Sequence, residues 1–186
     1  MRRIEVREAT PEDEEEVAAI SSLATATLRE TYRPKGGFRS DESAPLTSRT
    51  RLVAVMDERV VGTVRYAHEA DRIHLIGLFV HPDFQRQGVA RQIVAHLAVL
   101  GARRGARCLS LHAVKETGNA VIFERLGFRT VSERVDDSIE SDSFAQLTDV
   151  YMERPCTTSA GADDVLETDA ASKHNPSQTG TTRTIA

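Results

Sequence analysis

A glycine-containing loop, Gln85-Arg86-Gln87-Gly88-Val89-Ala90, carries the residue pattern that most directly predicts chemistry. The apolar residues 73–80 before it predict a buried strand, and the periodic residues 89–100 predict an amphipathic helix. A strand, a tight loop and a helix start leave several backbone N–H groups pointing one way, at the positive end of the helix dipole. Because Gly88 and Ala90 carry almost no side chain, the loop is predicted to bind a phosphate or pyrophosphate.

The loop differs from two common phosphate-binding motifs. The dinucleotide fingerprint requires three glycines, and the nucleotide-triphosphate loop ends in Gly-Lys-Ser/Thr. The sequence has neither pattern here and instead resembles motif A of the GNAT superfamily of N-acyltransferases. In that motif an (Arg/Gln)-x-x-Gly-x-(Gly/Ala) loop holds the pyrophosphate of acyl-coenzyme A. Gln85, Gly88 and Ala90 occupy the three defining positions.

A second segment, residues 115–128, supports the resemblance. It looks like motif B of the superfamily, in which an Asn-bearing helix start leads to (Tyr/Phe)-Glu-x-x-Gly-Phe. Gly127 stands where a helix needs a left-handed C-terminal cap, and Phe128 is predicted to return into the core. Two motifs in the superfamily's order extend the resemblance over about residues 4–153.

The resemblance implies acetyl-CoA as the acyl-donor cosubstrate and assigns its contacts. The strand before motif A would pair its backbone with the pantetheine arm. Asn119 would anchor the far side of the arm, and Phe123 would pack near the sulfur. Arg86 is a candidate for a charge-assisted phosphate contact, whereas Arg91 could equally face solvent. The implied cofactor-binding residues are Leu78, Phe79, Val80, Gln85, Arg86, Gln87, Gly88, Val89, Ala90, Arg91, Asn119 and Phe123.

The reaction that the resemblance implies is direct attack of a neutral amine on the thioester in a ternary complex, which needs orientation and a base. Two histidines compete for the role of base, since their ordinary pKa suits it. His74 occupies the part of its strand where relatives often carry a Glu, and His112 lies on the next strand and could face the same cleft. Lesser candidates for the base are Tyr66, Glu116 and Tyr151. His81 is expected to be structural.

Phe123 departs from the common pattern, because many members have a Tyr whose hydroxyl is the proposed acid toward the thiolate. Another group or water could serve, or the thiolate could leave unaided. The alternative is a non-catalytic module that senses acyl-CoA. A third option is an acyltransferase whose protein substrate docks on the polar loop at residues 38–49.

Composition narrows the class of protein. The 186 residues, 40% of them hydrophobic, suit one domain with a single core. A net charge of -4 argues against a general nucleic-acid binder, and no apolar run is long enough to cross a bilayer. The first residues show no signal-peptide pattern, and Cys108 and Cys156 imply no disulfide framework. We expect a cytoplasmic protein without a metal site, which acts on a small-molecule or protein amine and could form a homodimer, as relatives commonly do.

The pattern of elements predicts an α+β fold with a mixed central β-sheet flanked by helices, in the order β-α-α-β-β-β-α-β-α-β-β. This order matches the GNAT-type sheet that the resemblance implies. A helix is expected to start at Thr10-Pro11, and a second helical piece to run to about Tyr32. The predicted strands are 4–8, 52–56, 60–67, 73–80, 108–114, 128–134 and 148–153. Residues 1–155 are predicted to form the single domain. Residues 156–186, poor in large apolar side chains, are predicted to be a disordered tail.

Overall fold

The computed structural model describes residues 3–35 and 49–157. Along this part of the chain the elements are β1 (Glu5–Glu8), α1 (Glu14–Thr31), β2 (Arg33–Pro34), β3 (Arg49–Met56), β4 (Arg59–Glu69), β5 (Arg72–Val80), α2 (Val89–Arg103), β6 (Cys108–Val114), α3 (Asn119–Arg125), β7 (Arg129–Val135), β8 (Ile139–Glu140) and β9 (Thr148–Pro155). The seven predicted strands and the helix after the glycine-containing loop have bounds within a few residues of the predicted ones, and the bounds of β6 coincide with them.

A seven-stranded sheet in the order β1-β3-β4-β5-β6-β9-β7 forms the centre of the fold. Neighbouring strands are antiparallel except β5 and β6, which are parallel. The mixed sheet confirms the predicted α+β class. β5 and β6 pair only from Arg72↔Cys108 to His74↔Ser110, although each strand continues well beyond that point. The sheet is therefore split into two halves by a cleft that opens after His74.

The two faces of the sheet are covered differently. On one face α2 buries Ile93 and Leu97 in a core cluster that extends from β3 to β9. On the other face α1 packs Val17 and Ile20 against Val53 of β3. Burying aliphatic side chains of this kind stabilises a fold by about 1.5–3 kcal/mol each.

The start of α1 has a buried carboxylate. Asp13 is 5% exposed and accepts hydrogen bonds from both terminal nitrogens of Arg7, at 2.7 and 2.8 Å, and from the amide of Thr10 at 2.7 Å. The hydrogen bond from Arg7 is the main reason that the pKa of Asp13 lies well below its usual range. The helix start is therefore fixed, as the Thr10-Pro11 pattern predicts.

The predicted break between two N-terminal helical pieces is wrong, since α1 is continuous from Glu14 to Thr31. This stretch contains no glycine or proline that would interrupt it. The helix ends at Thr31, and its cap residue Tyr32 is extended where the chain enters β2.

A second, two-stranded sheet pairs β2 with β8 and was not predicted. Two-residue strands are too short to show an alternating pattern. The predicted loop at residues 38–49 lies outside the described residues except for Arg49, which begins β3. The predicted tail lies outside them from residue 158 onward, whereas the amide of Cys156 still donates to the carbonyl of Arg107 at 2.9 Å.

Candidate active site

A β-bulge bends β5 just beyond the point where its pairing with β6 ends. The register between β4 and β5 shifts between Val64↔Leu78 and Arg65↔Ile76, which leaves Gly77 as the extra residue. Gly77 has a φ of +69°, a conformation that side-chain-bearing residues rarely adopt. Because a bulge bends its strand and increases the local twist, β5 turns away from β6 just before Leu78. The predicted pantetheine-pairing residues 78–80 thus line the diverging part of the strand.

The loop after β5 presents backbone amides to open space. Gly88 caps the start of α2 with a φ of +88°, and a Cβ placed there would meet no heavy atom within 4 Å. The first intrahelical bond runs from the amide of Gln92 to the carbonyl of Gly88, at 3.0 Å. The amides of Val89, Ala90 and Arg91 precede this bond, so they point out of the helix start. This geometry fits a pyrophosphate at the end of the cleft.

Two glutamines of the loop hold its own backbone. Gln87 Nε2 donates to the carbonyl of Asp83 at 2.9 Å, and Gln85 Nε2 donates to the carbonyl of Val80 at 3.4 Å. His81 Nδ1 accepts the amide of Asp83 at 3.3 Å, in agreement with the structural role expected for this histidine. Arg86 is exposed and has a φ of +60°. These contacts fix the loop, which here we call the cradle (residues 82–91).

The cradle packs closely against the sheet at Gly62 of β4. A Cβ at Gly62 of β4 would lie 2.8 Å from Cγ1 of Val89 and 3.2 Å from the carbonyl oxygen of Phe79. Gly62 therefore allows the first turn of α2 to pack directly on the sheet, and a Cβ at this position would force Val89 to shift.

The helix of motif B lies across the cleft from the cradle. Gly118 has a φ of +75°, and the amide of Asn119 donates to the Thr117 hydroxyl at 3.2 Å. At the other end Gly127 has a φ of +87°, the left-handed cap that the sequence predicted. Phe128 is 2% exposed and its ring meets that of Phe123 edge to face, with centroids 5.8 Å apart.

Polar side chains gather on the sheet face opposite α2. In β6, Leu109, Leu111 and Ala113 enter the core cluster, so the alternation of the strand puts Ser110 and His112 on the opposite face. The same alternation in β9 separates its buried apolar residues from its polar ones, namely Asp149, Tyr151 and Glu153. We call the group His74, Ser110, His112, Asp149 and Tyr151 the polar cluster.

The structure brings the two candidate bases together. The rings of His74 and His112 have centroids 5.6 Å apart. His74 Nδ1 lies 3.0 Å from the Ser110 hydroxyl oxygen. His112 Nδ1 lies 2.9 Å from Oδ2 of Asp149, and this oxygen also accepts a hydrogen bond from Arg134 Nε at 3.0 Å. Both histidines therefore stand at the narrow end of the cleft, on one face.

Asp149 was missed by the sequence analysis. It is 7% exposed and reaches His112 across a sequence separation of 37 residues. The only local signal is a polar residue in the alternating pattern of a strand, and that pattern is equally typical of a solvent-facing strand.

Tyr151 has its hydroxyl engaged. The hydroxyl donates to Glu153 Oε1 at 2.7 Å and accepts a hydrogen bond from Arg72. Burial, and then the hydrogen bond to Glu153, raise the pKa of Tyr151. A phenol with a raised pKa keeps its proton at neutral pH, so Tyr151 is a poor base.

The other two lesser candidates form hydrogen bonds with groups other than the histidines. Tyr66 is buried in the main core cluster, and its hydroxyl accepts Arg104 at 3.4 Å. Glu116 Oε2 accepts the amide of Thr148 at 3.0 Å. Burial acts to raise the pKa of Glu116, but the hydrogen bonds from Thr148 lower it below its usual value. Both side chains have structural partners.

Residues 3–35 and 49–157 contain neither a metal site nor a membrane-spanning helix. Within these ranges no group of three or more His, Cys, Asp or Glu side chains is placed to hold a metal ion. None of the described helices has the length and apolar character needed to cross a membrane. Cys108 and Cys156 are both free thiols.

Comparison with known proteins identifies the family. The sequence profile of the acetyltransferase (GNAT) family matches residues 12–128. The chain belongs to this family. A curated acetyltransferase of Pectobacterium atrosepticum is 35% identical over 83 residues, which are 43% of this chain and 57% of that protein. The chain thus matches little more than half the length of this relative.

Solved structures share the fold at low identity. The ribosomal-protein-S18-alanine N-acetyltransferase of Escherichia coli superimposes with a TM-score of 0.63 at 18% identity, over 88% of this chain and 99% of that one. An acetyltransferase of Bacillus subtilis in complex with CoA superimposes with a TM-score of 0.57 at 13% identity, over 83% of this chain and 99% of that one. At these identities the likeness establishes the GNAT fold.

Proposed function

We propose that this protein is an acetyl-CoA-dependent N-acyltransferase that moves an acetyl group onto a primary amine by direct attack in a ternary complex. The observation that carries the proposal is the divergence of β5 from β6 directly beside a cradle of backbone amides. Family membership supports acyl transfer from an acyl-CoA donor, and the Bacillus subtilis neighbour carries CoA in its own structure.

The donor is assigned to the cleft and the cradle. The pyrophosphate would accept hydrogen bonds from the amides around Gly88, and Arg86 is exposed beside them. The pantetheine arm would pair with the backbone of residues 78–80, since this part of β5 has no partner in β6. Asn119 and Phe123 would contact the arm from α3. Acetyl-CoA supplies the acyl group and a thiolate leaving group.

The chemistry then depends on orientation and on one base. The acceptor arrives mostly as an ammonium ion, because primary amines of the lysine type have a pKa near 10. A histidine of the polar cluster removes a proton, and the neutral amine attacks the thioester carbonyl. Phe123 has no hydroxyl to protonate the thiolate, so the thiolate leaves unaided or takes its proton from water or another group.

The acceptor, a small-molecule or protein amine, is proposed to approach over the polar cluster. A cavity beside β8 is lined by Lys35, Val135, Asp136, Ile139, Phe144 and other residues of the segment before β9. Val135 pairs with Thr148, whose chain neighbour Asp149 contacts His112. The cavity lies at the β7 edge of the sheet, two strands from β6, and its acidic residues suit a cationic amine.

A thiol-release assay with acetyl-CoA tests the function. Wild-type protein is incubated with a panel of polyamines, aminoglycosides and peptides that offer an N-terminal or lysine amine. We expect CoA release that depends on one class of amine. Binding of acetyl-CoA without release on any amine would favour the sensor instead, and absence of binding would refute both.

We also propose that residues 1–155 are the catalytic domain and that residues beyond Thr157 are dispensable. The chain shortened to end at Thr157 is expected to keep its kcat and its affinity for CoA. Loss of either in a folded, monodisperse sample would contradict this domain boundary. The cytoplasmic location and the homodimer stay predictions.

A further inference from the structure

We propose that Asp149 is a positioning residue that holds His112 in the tautomer with its proton on Nδ1, so that Nε2 is the atom that takes the proton of the acceptor amine. This inference rests on the proposed acyl transfer and deepens it. It also chooses between the two candidate bases, in favour of His112.

The carboxylate dictates the tautomer. Nδ1 of His112 lies 3.0 Å from Oδ1 and 2.9 Å from Oδ2 of Asp149. An ionised carboxylate only accepts hydrogen bonds, so a neutral His112 must donate from Nδ1 and keep its lone pair on Nε2. Asp149 is almost fully buried, and Arg134 Nε donates to its Oδ2 at 3.0 Å. The arginine places a positive charge beside this carboxylate.

Position also favours His112. Ser110 is the last residue of β6 that pairs with β5, so His112 stands on the diverging part of the strand. Its side chain is 43% exposed, which leaves the ring accessible from the cleft. His74 lies within the paired segment and faces a hydroxyl, which can donate or accept. The hydroxyl contact therefore imposes no tautomer on His74.

The groups that face His112 come from three other strands. His74 approaches from β5, Asp149 and Tyr151 from β9, and Arg134 from β7 through Asp149. The Tyr151 hydroxyl is engaged by Arg72 and Glu153 and so does not compete for the ring. Of these groups, Asp149 is the one that contacts a nitrogen of the His112 ring.

In the proposed transfer, each proton that leaves the acceptor amine has a defined destination. The ammonium N–H bond breaks and its proton passes to Nε2, which makes an imidazolium next to the Asp149 carboxylate. The neutral nitrogen forms a bond to the carbonyl carbon, and the C–S bond breaks to give the amide and the thiolate. The proton lost by the nitrogen as the amide forms neutralises the thiolate, and the imidazolium returns its proton to water.

The test replaces the carboxylate and reads both the tautomer and the kinetics. The variant Asp149→Asn can donate an amide N–H to Nδ1, which favours the opposite tautomer, as in Ser-His-Asp enzymes. We expect long-range ¹H–¹⁵N NMR spectra to show the His112 proton on Nδ1 in the wild type and on Nε2 in the variant. The kcat of thiol release should fall at least about 10-fold, with the KM for acetyl-CoA changed by less than about twofold.

Two controls separate positioning from general damage. Asp13→Asn removes an equally buried carboxylate with an arginine partner, far from the histidines, and should leave kcat and the His112 spectrum unchanged. Arg134→Gln removes the ion pair but keeps the carboxylate, and should retain the Nδ1–H tautomer.

A wild-type His112 with its proton on Nε2 would overturn the proposal, and so would an Asp149→Asn variant with unchanged kcat. These outcomes differ from failure of the proposed function, in which the wild type releases no CoA with any amine whatever the tautomer of His112.

Discussion

The cradle and the polar cluster border the same cleft but are built from different materials. The cradle offers backbone amides, and the residues that matter most there are small, such as Gly88, or hold the loop's own backbone, such as Gln87. The polar cluster offers side chains from β5, β6 and β9 that hydrogen-bond one another. A backbone site responds to bulk and shape, whereas a side-chain site responds to protonation and hydrogen bonding. Substitutions in the two regions should therefore fail in different ways.

The largest effect is expected from Gly88→Glu, which puts bulk and negative charge where the pyrophosphate would lie. Affinity for CoA, measured by calorimetry, should fall at least about 100-fold. Gly105→Glu is the matched control, because Gly105 also has a positive φ of +78° and open space around it. The Gly105→Glu variant therefore has the same backbone strain from a positive φ, but at the other end of α2.

The control variant should bind CoA like the wild type. Equal affinity in both variants would mean that the cradle holds no phosphate. Equal loss in both would mean that strain in α2, and not charge in the cradle, weakens binding.

The next largest effect is expected from His112→Gln, which should lower kcat about 100-fold at neutral pH with little change in CoA affinity. The loss should shrink as the pH approaches about 10, because the acceptor is then already neutral. His74→Gln should lower kcat less. A larger loss in the His74 variant, or a loss independent of pH, would reverse the choice of base.

A smaller effect, on stability, is expected from Gly62→Ala. The added methyl group would collide with Val89 and with the Phe79 carbonyl. Overpacking of this kind costs about 1–3 kcal/mol of unfolding free energy, measured by urea denaturation. Because Val89 begins α2, affinity for CoA should fall with stability. Unchanged affinity would show that the cradle does not depend on this contact.

The smallest effect on function is expected from Asp13→Asn, which lies in neither region. It should lower the unfolding free energy by about 2 kcal/mol at neutral pH while kcat stays the same. The low pKa of Asp13 in the folded protein stabilises it above the ordinary carboxylate pKa, and this stability is lost as the pH falls. The difference between the variant and the wild type should therefore narrow below about pH 4. A constant difference would contradict the ion pair with Arg7.

Local patterns predicted the cradle better than the polar cluster. The strand, the small residues and the helix start are contiguous, so one stretch of sequence specifies the strand-loop-helix arrangement around Gly88. The cap at Gly127, with a φ of +87°, follows an equally local rule.

The partnership of His112 with Asp149 depends on the register between β6 and β9, which no local pattern encodes. Ser110 was missed for the same reason, because it meets His74 through the short parallel pairing of β5 and β6. The continuity of α1 was missed because weak helix formers such as Ser21 and Thr25 are tolerated once the helix packs its apolar stripe on the sheet.

A crystal structure of the protein with bound CoA is the most direct measurement of the central assignment. The proposed function predicts the pyrophosphate on the backbone amides of the cradle and the pantetheine arm between β5 and β6, alongside residues 78–80. A pyrophosphate bound elsewhere, or an arm that runs outside this cleft, would contradict it.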